Sequence, residues 1–153
     1  MQSNWGKSLG YGEAKIAEPT DNKFMHAWDL CRLGHFSKET INTVNIKSSI
    51  SFQLKGHSIT VYTTILSADG IYTMLELTRI QIPQSVESLE LLTTQSTLKQ
   101  LLQVAYVFEK IRQQKKEETK EFFLMKRYGP GLVQLRELIS DKKDRKRPCT
   151  LRF

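Results

Sequence analysis

The sequence predicts an α+β fold, an antiparallel β-meander or sandwich-like sheet packed with a long amphipathic helix and short flanking helices. Three observations support this. Residues 40–82 hold three runs rich in β-forming side chains, joined by two short turns. Residues 97–112 carry apolar side chains at helical spacing. Residues 23–34 and 132–139 have the same spacing over shorter lengths, so they are predicted to form the flanking helices.

The chain has 153 residues, a length that suits one domain with short tails. We place a single α+β domain at residues 23–140. Residues 1–22 are polar and contain several glycines, so they are predicted to be a flexible N-terminal arm, either free or docked on the domain or on a neighbouring subunit. Residues 141–153 form a basic C-terminal tail with too little apolar content to fold alone.

The first helix is predicted to begin after a capping residue among Thr20, Asp21 and Asn22, and to end at Gly34. Asp29 is expected on its exposed face. The residues that follow alternate in polarity, from Ile41 to Leu54, and are predicted to form the first strand.

Two further strands follow the first. Gly56-His57-Ser58 is predicted to be the first hairpin turn, because Gly56 supplies the conformational freedom of a tight reversal. Asp69-Gly70 is predicted to be the second turn, and Pro83 ends the last strand. Apolar side chains occur on both faces of these strands, so we expect cover on both sides, by the following helix and by further sheet or a partner subunit.

The last part of the domain contains the long helix. Residues 88–92 are compatible with either a strand or a helical turn. Thr97 and Gln100 are predicted to form a capping box, and the apolar side chains from Leu98 to Ile111 a broad buried face. Residues 112–121 lack apolar side chains, so they are either a solvated extension of the helix or a loop.

The sequence contains none of the common nucleotide-binding, hydrolase, metalloprotease or redox motifs. His26 and His35 are nine residues apart, which is not the spacing of a helical metal pair. His57 and Glu76 lack partners at catalytic spacing. We therefore expect a protein that is not an enzyme, with no cofactor, no metal site and no small-molecule substrate.

The compartment is suggested by the cysteines and by the apolar runs. Cys31 and Cys149 are predicted to be free thiols, as is usual in a reducing intracellular environment. The N-terminal stretch has no apolar segment of the kind found in secretory signals, and no run approaches the roughly 20 residues that span a bilayer. We expect an intracellular protein without a transmembrane segment.

Charge is the strongest indication of function. The formal net charge is +7, yet residues 1–109 carry 9 Lys and Arg against 10 Asp and Glu. Residues 110–153 carry 14 basic and 6 acidic side chains, so the whole excess lies in the C-terminal third. This asymmetry favours a polyanionic partner, either an anionic lipid surface or nucleic acid. The candidate contact residues are Lys115, Lys116, Lys126, Arg127, Lys142, Lys143, Arg145, Lys146 and Arg147.

The aromatic residues beside these basic side chains have three interpretations. Phe122, Phe123 and Tyr128 suit base stacking on RNA, and the same side chains suit insertion into a bilayer interface. Alternatively, residues 122–125 belong to the core. The basic cluster at 142–147 also has the composition of a nuclear localisation signal.

The stretch "GHSITVYTTILSADGIYTMLELTRIQI" and the later "AYVFEKIR" resemble the matrix protein of bornaviruses. The resemblance covers about 57 residues, from Gly56 to Arg112, and depends on the turn, the strand spacing and the helix. It implies a β-sandwich-like, non-enzymatic matrix protein of a negative-strand RNA virus. Such a protein self-associates, lies beneath the envelope in the virion, and binds the anionic inner leaflet and RNA or nucleoprotein. The alternative is a nucleic-acid-binding or host-interacting viral accessory protein, located at the membrane or in the nucleus.

Overall fold

The computed structural model describes residues 8–15 and 23–129. The helix predicted at 132–139 and the basic tail lie outside the described residues. The strands are β1 (Gly10–Lys15), β2 (Ser48–Lys55), β3 (Ser58–Ala68) and β4 (Ile71–Gln81). The helices are α1 (Lys23–Val44), a 3-10 helix (Val86–Thr93), α2 (Gln95–Arg112) and α3 (Lys120–Met125). The protein is therefore α+β.

The strands form one mixed sheet in the order β1-β2-β3-β4. The pairs β2–β3 and β3–β4 are antiparallel, as the predicted meander requires, and the two turns lie where they were predicted. Gly56 and Gly70 have φ values of 56° and 71° in these turns, a region that favours glycine. The described residues contain no second sheet, so the sandwich-like arrangement is not observed there.

The strand β1 was not predicted. Residues 10–15 of the predicted arm pair in parallel with β2, which makes the sheet mixed. Gly10 allows the close approach, because a Cβ atom there would lie 1.7 Å from the carbonyl oxygen of Ile50. Between β1 and α1, the Arg32 guanidinium lies 2.9 Å from the Glu13 carboxylate and joins the two elements. This part of the arm is thus docked on the domain.

Helix α1 is longer than predicted, because it continues through Gly34 to Val44. Leu33 and Ile41 are buried on its inner side, so packing against the sheet outweighs the cost of about 1 kcal/mol for an interior glycine. Ile41 and Val44, predicted to start a strand, belong to this helix. Asn45 follows with φ 62° and donates its backbone N–H to the Ile41 carbonyl, as a left-handed residue at a helix end does.

The expectation that Asp29 lies on the exposed face of α1 is also wrong, because this residue is fully buried. Its carboxylate lies 2.6 Å from the Lys15 ammonium and 4.0 Å from the Arg32 guanidinium. A buried carboxylate needs such cations to offset the loss of hydration. We interpret this group of charges as the contact that holds β1 against α1.

Two apolar clusters form the core near the end of α1. Ile41, Leu66 and Phe122 pack together, so α3 covers one side. Val44 and Ile111 belong to the other cluster, in which the end of α2 packs against α1. The loop that follows α2 is thereby held close to the start of β2.

Helix α2 begins three residues earlier than predicted. The Thr94 hydroxyl caps it by accepting a hydrogen bond from the Thr97 N–H at 3.2 Å, so Thr97 is not the cap. Residues 86–93 form a 3-10 helix. Of the two alternatives for residues 88–92, a strand or a helical turn, the helical one is therefore correct. The chain leaves the helix at Arg112, and residues 114–119 have no regular structure, so the loop alternative is correct for them.

Candidate functional site

Lys115 and Lys116 are exposed on a loop that the domain holds in place. The Gln114 side chain accepts hydrogen bonds from the backbone N–H groups of Lys47 and Ser48, at 3.1 and 3.3 Å. The Glu117 N–H donates to the Asn45 carbonyl at 2.7 Å. These bonds fix the loop on both sides of the two lysines, so the two cations are presented to solvent from an anchored backbone.

The charge of this loop is partly cancelled. The Glu117 carboxylate lies 3.1 Å from the Lys47 ammonium, so it is already paired. Glu118 and Glu121 are exposed close in sequence to the two lysines. No carboxylate of residues 8–15 or 23–129 forms an ion pair with Lys115 or Lys116. An anionic ligand at this loop would therefore contact the ammonium groups of Lys115 and Lys116. The carboxylates of Glu118 and Glu121 close by would weaken that attraction.

Arg127 is half-exposed and partly committed to the protein. Its guanidinium lies 2.7 Å from the Asp69 carboxylate in the β3–β4 turn and donates to the Leu124 carbonyl at 2.8 Å. The Gly70 N–H donates to the Met125 carbonyl at 2.8 Å, which fastens the same turn to the end of α3. Arg127 thus has a positioning role beside its exposed charge.

Lys126 was predicted to contact an anionic partner. The structure contradicts this prediction, because Lys126 is not a surface residue. The side chain is only 4% exposed, and its ammonium donates to the Asn42 carbonyl at 2.9 Å and to the Asn45 side chain. It also lies 4.8 Å from the ring centres of Phe122 and Phe123. Burial lowers the pKa of Lys126 below its usual value. This cation holds the segment after α3 against α1 and is not available to a lipid or phosphate.

The remaining predicted contact residues, Lys142, Lys143, Arg145, Lys146 and Arg147, lie outside the described residues. Of the aromatic side chains beside the basic residues, Phe122 is buried in the core. Phe123 and Tyr128 are exposed, and Tyr128 is the more exposed of the two. The core interpretation therefore holds for Phe122, and the two exposed rings remain available for contact.

The outer side of α2 is the largest departure from expectation, because most of the broad buried face predicted from Leu98 to Ile111 is exposed. Only Ile111 of this helix is buried, while Val104 and Val107 are half-buried towards the sheet. The Gln100 and Gln103 side chains donate to the carbonyls of Arg79 and Leu77 in β4, at 3.1 and 3.4 Å. The opposite side of the helix has no cover among the described residues.

We call this uncovered surface the outer apolar face. It combines exposed large apolar side chains of the 3-10 helix and of α2, which are consecutive in the chain. Its members are Val86, Leu89, Leu91, Leu98, Leu101, Leu102, Tyr106 and Phe108. A group of exposed large apolar side chains of this kind often marks an interaction site.

His57 and Glu76, the two titratable residues singled out in the sequence, are both exposed. His57 lies in the exposed first turn, and the Glu76 carboxylate is 3.6 Å from the Arg79 guanidinium of the same strand. Burial, with the Glu76 charge as a smaller cause, raises the pKa of Tyr62. No three His, Cys, Asp or Glu side chains of residues 8–15 and 23–129 lie close enough together to hold a metal ion.

The same described part of the chain contains no helix with the length and apolar content needed to cross a bilayer. Comparisons with protein-family models, with curated proteins and with solved structures find no match to this chain. Two features of the described residues bear on function, the outer apolar face and the basic residues that follow it.

Proposed function

We propose that the protein is a non-enzymatic, viral matrix-like structural protein. In this proposal it self-associates and binds anionic membrane, together with RNA or nucleocapsid, through its basic C-terminal third. The observation that carries the proposal is the outer apolar face, which a second copy of the chain would cover. A protein that assembles into a layer needs such a surface, separate from the charges that bind the layer to lipid.

The spacing along α2 suits pairing with another helix. Leu98, Leu101, Ala105 and Phe108 are separated by three, four and three residues, the repeat that places apolar side chains along one helix–helix seam. All four residues are exposed. The small Ala105 near the middle allows the two backbones to approach.

Charge supports an antiparallel arrangement of two copies. Glu87 and Glu90 lie on the 3-10 helix that precedes α2, whereas Lys110 lies in the last turn of α2, beside the ion pair of Arg112 with Glu109. In a two-fold symmetric pair, each acidic end would approach the basic end of the partner, since residue i contacts j and j contacts i. The dipoles of two antiparallel helices also oppose each other favourably. The face is therefore complementary to itself.

The size of the face supports a weak contact. A helix of 18 residues is about 27 Å long and about 10 Å wide, and the 3-10 helix adds about 16 Å of length. The footprint is then roughly 400 Å², below the roughly 800 Å² per partner of a standard interface. Such a contact forms at high protein concentration, in solution or on a membrane surface.

The anionic contact is assigned to Lys115, Lys116, Arg127 and the 142–147 cluster, without Lys126. Each basic side chain near an anionic surface contributes about 1 kcal/mol, and the contributions fall off within a Debye length. Since carboxylates lie near the two loop lysines, the five basic residues between 142 and 147 carry most of this energy in the proposal.

Vesicle flotation tests the membrane contact. The full chain should float with vesicles containing phosphatidylserine and remain in solution with pure phosphatidylcholine. Charge reversal of Lys142, Lys143, Arg145, Lys146 and Arg147 should abolish flotation at 150 mM salt. Substituting Lys99 and Lys120 with Glu is the control, because these exposed lysines are not assigned to the contact. If anionic vesicles bind no wild-type protein while RNA does, the matrix proposal fails.

The second candidate is a nucleic-acid-binding accessory protein that uses the same cations. The exposed rings of Phe123 and Tyr128, on either side of Arg127 in sequence, favour it, because bases stack on exposed aromatic side chains. Replacing both rings with Leu should weaken binding to single-stranded RNA in this case. In the matrix proposal the same change should leave flotation with anionic vesicles intact, since Leu also enters the bilayer interface.

A further inference from the structure

A cleft of about 330 Å³ opens between α1 and the edge of the sheet, and we call it the α1 cleft. Its lining residues are Cys31, Gly34, His35 and Lys38 on α1, and Thr64, Tyr72 and Met74 on β3 and β4. Strand β4 is the last strand of the sheet, so no other strand of the described residues pairs with its outer edge beside the cleft. Natural proteins usually cover such an edge with a helix or a loop.

The cleft lies on the face of the sheet opposite α2. Ser49, Thr64 and Met74 are neighbours across β2, β3 and β4, so their side chains share one face. The Ser49 hydroxyl donates to a backbone carbonyl of α1 at 3.2 Å, which assigns this face to α1. Ile50, the next residue of β2, points to the other face and packs against the cluster that contains Ile111 of α2. The cleft and the outer apolar face are therefore on opposite sides of the sheet.

The chain that follows α3 runs along α1 towards the cleft. The Arg127 N–H donates to the Tyr72 hydroxyl at 3.3 Å, and the Asn42 side chain donates to the Arg127 carbonyl at 3.4 Å. Gly129 lies beside Lys38, because a Cβ atom at this glycine would be 2.9 Å from the Lys38 ammonium. Two residues of chain thus move about one turn along α1, from Asn42 back to Lys38. The described residues end at the mouth of the cleft.

The sequence that follows Gly129 suits this surface. The helix predicted at residues 132–139 carries four apolar side chains on one side, Leu132, Leu135, Leu138 and Ile139. A helix of eight residues is about 12 Å long, and residues 31–38 of α1, which form the wall of the cleft, span about 10 Å. The two lengths match.

The reach of the chain also favours this surface. Three steps of extended chain separate Leu132 from Gly129, and they span at most about 11 Å. Leu132 therefore starts close to Lys38, on the α1 side of the sheet. The outer apolar face lies beyond the sheet and α2, so the nearer apolar surface is the cleft.

We propose that residues 132–139 dock as a helix across the mouth of the α1 cleft of the same chain, antiparallel to α1. Their apolar side chains cover Tyr72, Met74 and the edge of β4, as an amphipathic helix covers an apolar groove. The helix rests on the rim of the cleft. Nothing enters between Gly34 and Met74, because a single Cβ atom at Gly34 would already lie 3.7 Å from the Met74 sulfur.

Docking fixes where the basic cluster at 142–147 leaves the domain. Lys142 is three residues after Ile139, so the cluster emerges on the α1 side of the sheet, away from the outer apolar face. Docking itself requires neither a membrane nor a second copy, so it is independent of the proposed function.

The Cys31 thiol is a natural probe of docking, because it lies on the wall of the cleft and is exposed in the described part of the chain. The full chain with Cys149→Ser is the parent, and Leu135→Ser with Leu138→Ser is the undocked variant. If at least about 90% of the parent is docked, its Cys31 should react with Ellman's reagent about tenfold more slowly than in the variant, because the reagent reaches only the undocked form.

Val133→Ser with Glu137→Ser is the matched control, because these residues lie on the opposite side of the predicted helix. The control should react as slowly as the parent. Equal rates in the parent and in the undocked variant overturn the proposal, and so does a control that reacts as fast as the undocked variant.

Disulfide formation locates the helix. In the parent, Leu135→Cys or Leu138→Cys should form a disulfide with Cys31 within one chain when oxidised glutathione is added, and Glu137→Cys should not. Mass spectrometry of the digested monomer and dimer bands identifies each link. A link between two chains assigns the cleft to a second copy, and links formed as readily from Glu137→Cys show that the helix has no fixed position. Either result overturns the proposal.

Discussion

Replacing Leu102 with Gln should dissociate the self-associated protein without unfolding it. Leu102 is 69% exposed in the monomer, so little of its side chain contributes to the fold. Burying a whole leucine stabilises by about 1.5–3 kcal/mol, so covering the exposed part contributes about 1–2 kcal/mol in each copy. A two-fold pair contains the residue twice, which gives about 2–4 kcal/mol. The dissociation constant should then rise about 30- to 700-fold.

Sedimentation equilibrium of the full chain measures this constant. Leu124→Gln is the matched control, because Leu124 is 65% exposed on α3 and lies outside the outer apolar face. The control should retain the dissociation constant of the wild type, and both variants should retain the wild-type melting temperature at dilutions where all three proteins are monomeric. Equal constants for Leu102→Gln and the wild type would refute the assignment of the interface to α2. A lower melting temperature for Leu102→Gln alone would mean that the face is covered within one chain.

Three further predictions concern the contacts that position the site. Lys126→Met should lower the free energy of unfolding by about 2 kcal/mol in a urea titration, because it leaves carbonyl acceptors without their charged donor. Gly10→Ala should detach β1 and speed hydrogen exchange of the Ile50 N–H, which donates to a carbonyl beside β1. The Arg112 guanidinium, by hydrogen bonding, holds the pKa of Glu109 at about 2, so Arg112→Met should return it towards 4.5 in an NMR titration. Because the folded pKa is lowered, this pair stabilises above about pH 4.5 and loses its effect as the pH falls towards 2.

Each of these predictions has a control or a contrary result. Lys120→Met changes an exposed lysine of α3 and should be neutral, so equal losses for the two lysines would contradict the buried role of Lys126. Gly34→Ala introduces the same methyl group where there is room, and it should leave exchange at Ile50 unchanged. A wild-type pKa near 4.5 for Glu109 would show that its contact with Arg112 does not persist in solution.

The three strands of the meander and their turns could be predicted because local signals agree there. Alternating apolar residues and turn residues such as Asp69-Gly70 determine the structure of a few neighbouring positions. The tertiary packing of these strands agrees with the local preferences. The end of α1 could not be predicted in this way. Gly34 is a typical stop signal, yet the buried side chains on the inner face of the helix continue beyond it to Ile41 and Val44, and their packing outweighs the local preference.

The outer apolar face could have been found from the sequence only in part. Helix α2 carries two apolar stripes, one with Val107 and Ile111 and the other with Leu98, Leu101 and Ala105. At 100° per residue these stripes lie on nearly opposite sides, and they were combined into one broad buried face. The sequence contains the separation, but which stripe meets the sheet depends on the Gln side chains and the core cluster of the folded protein.

The basic residues illustrate a similar limit. Composition identified the C-terminal third as positively charged, and Lys115 and Lys116 are indeed exposed. The burial of Lys126 could not be predicted, because it depends on Asn42 and Asn45 at the end of α1, more than 80 residues away in the chain.

Electron microscopy of the full chain on lipid monolayers tests the central claim most directly. We expect an ordered array of protein on monolayers that contain phosphatidylserine, and bare monolayers when phosphatidylcholine is the only lipid. The first result requires both the anionic contact and self-association. Protein that binds the anionic monolayer only as isolated single copies, or that does not bind it at all, would contradict the proposal that this is a matrix-like protein.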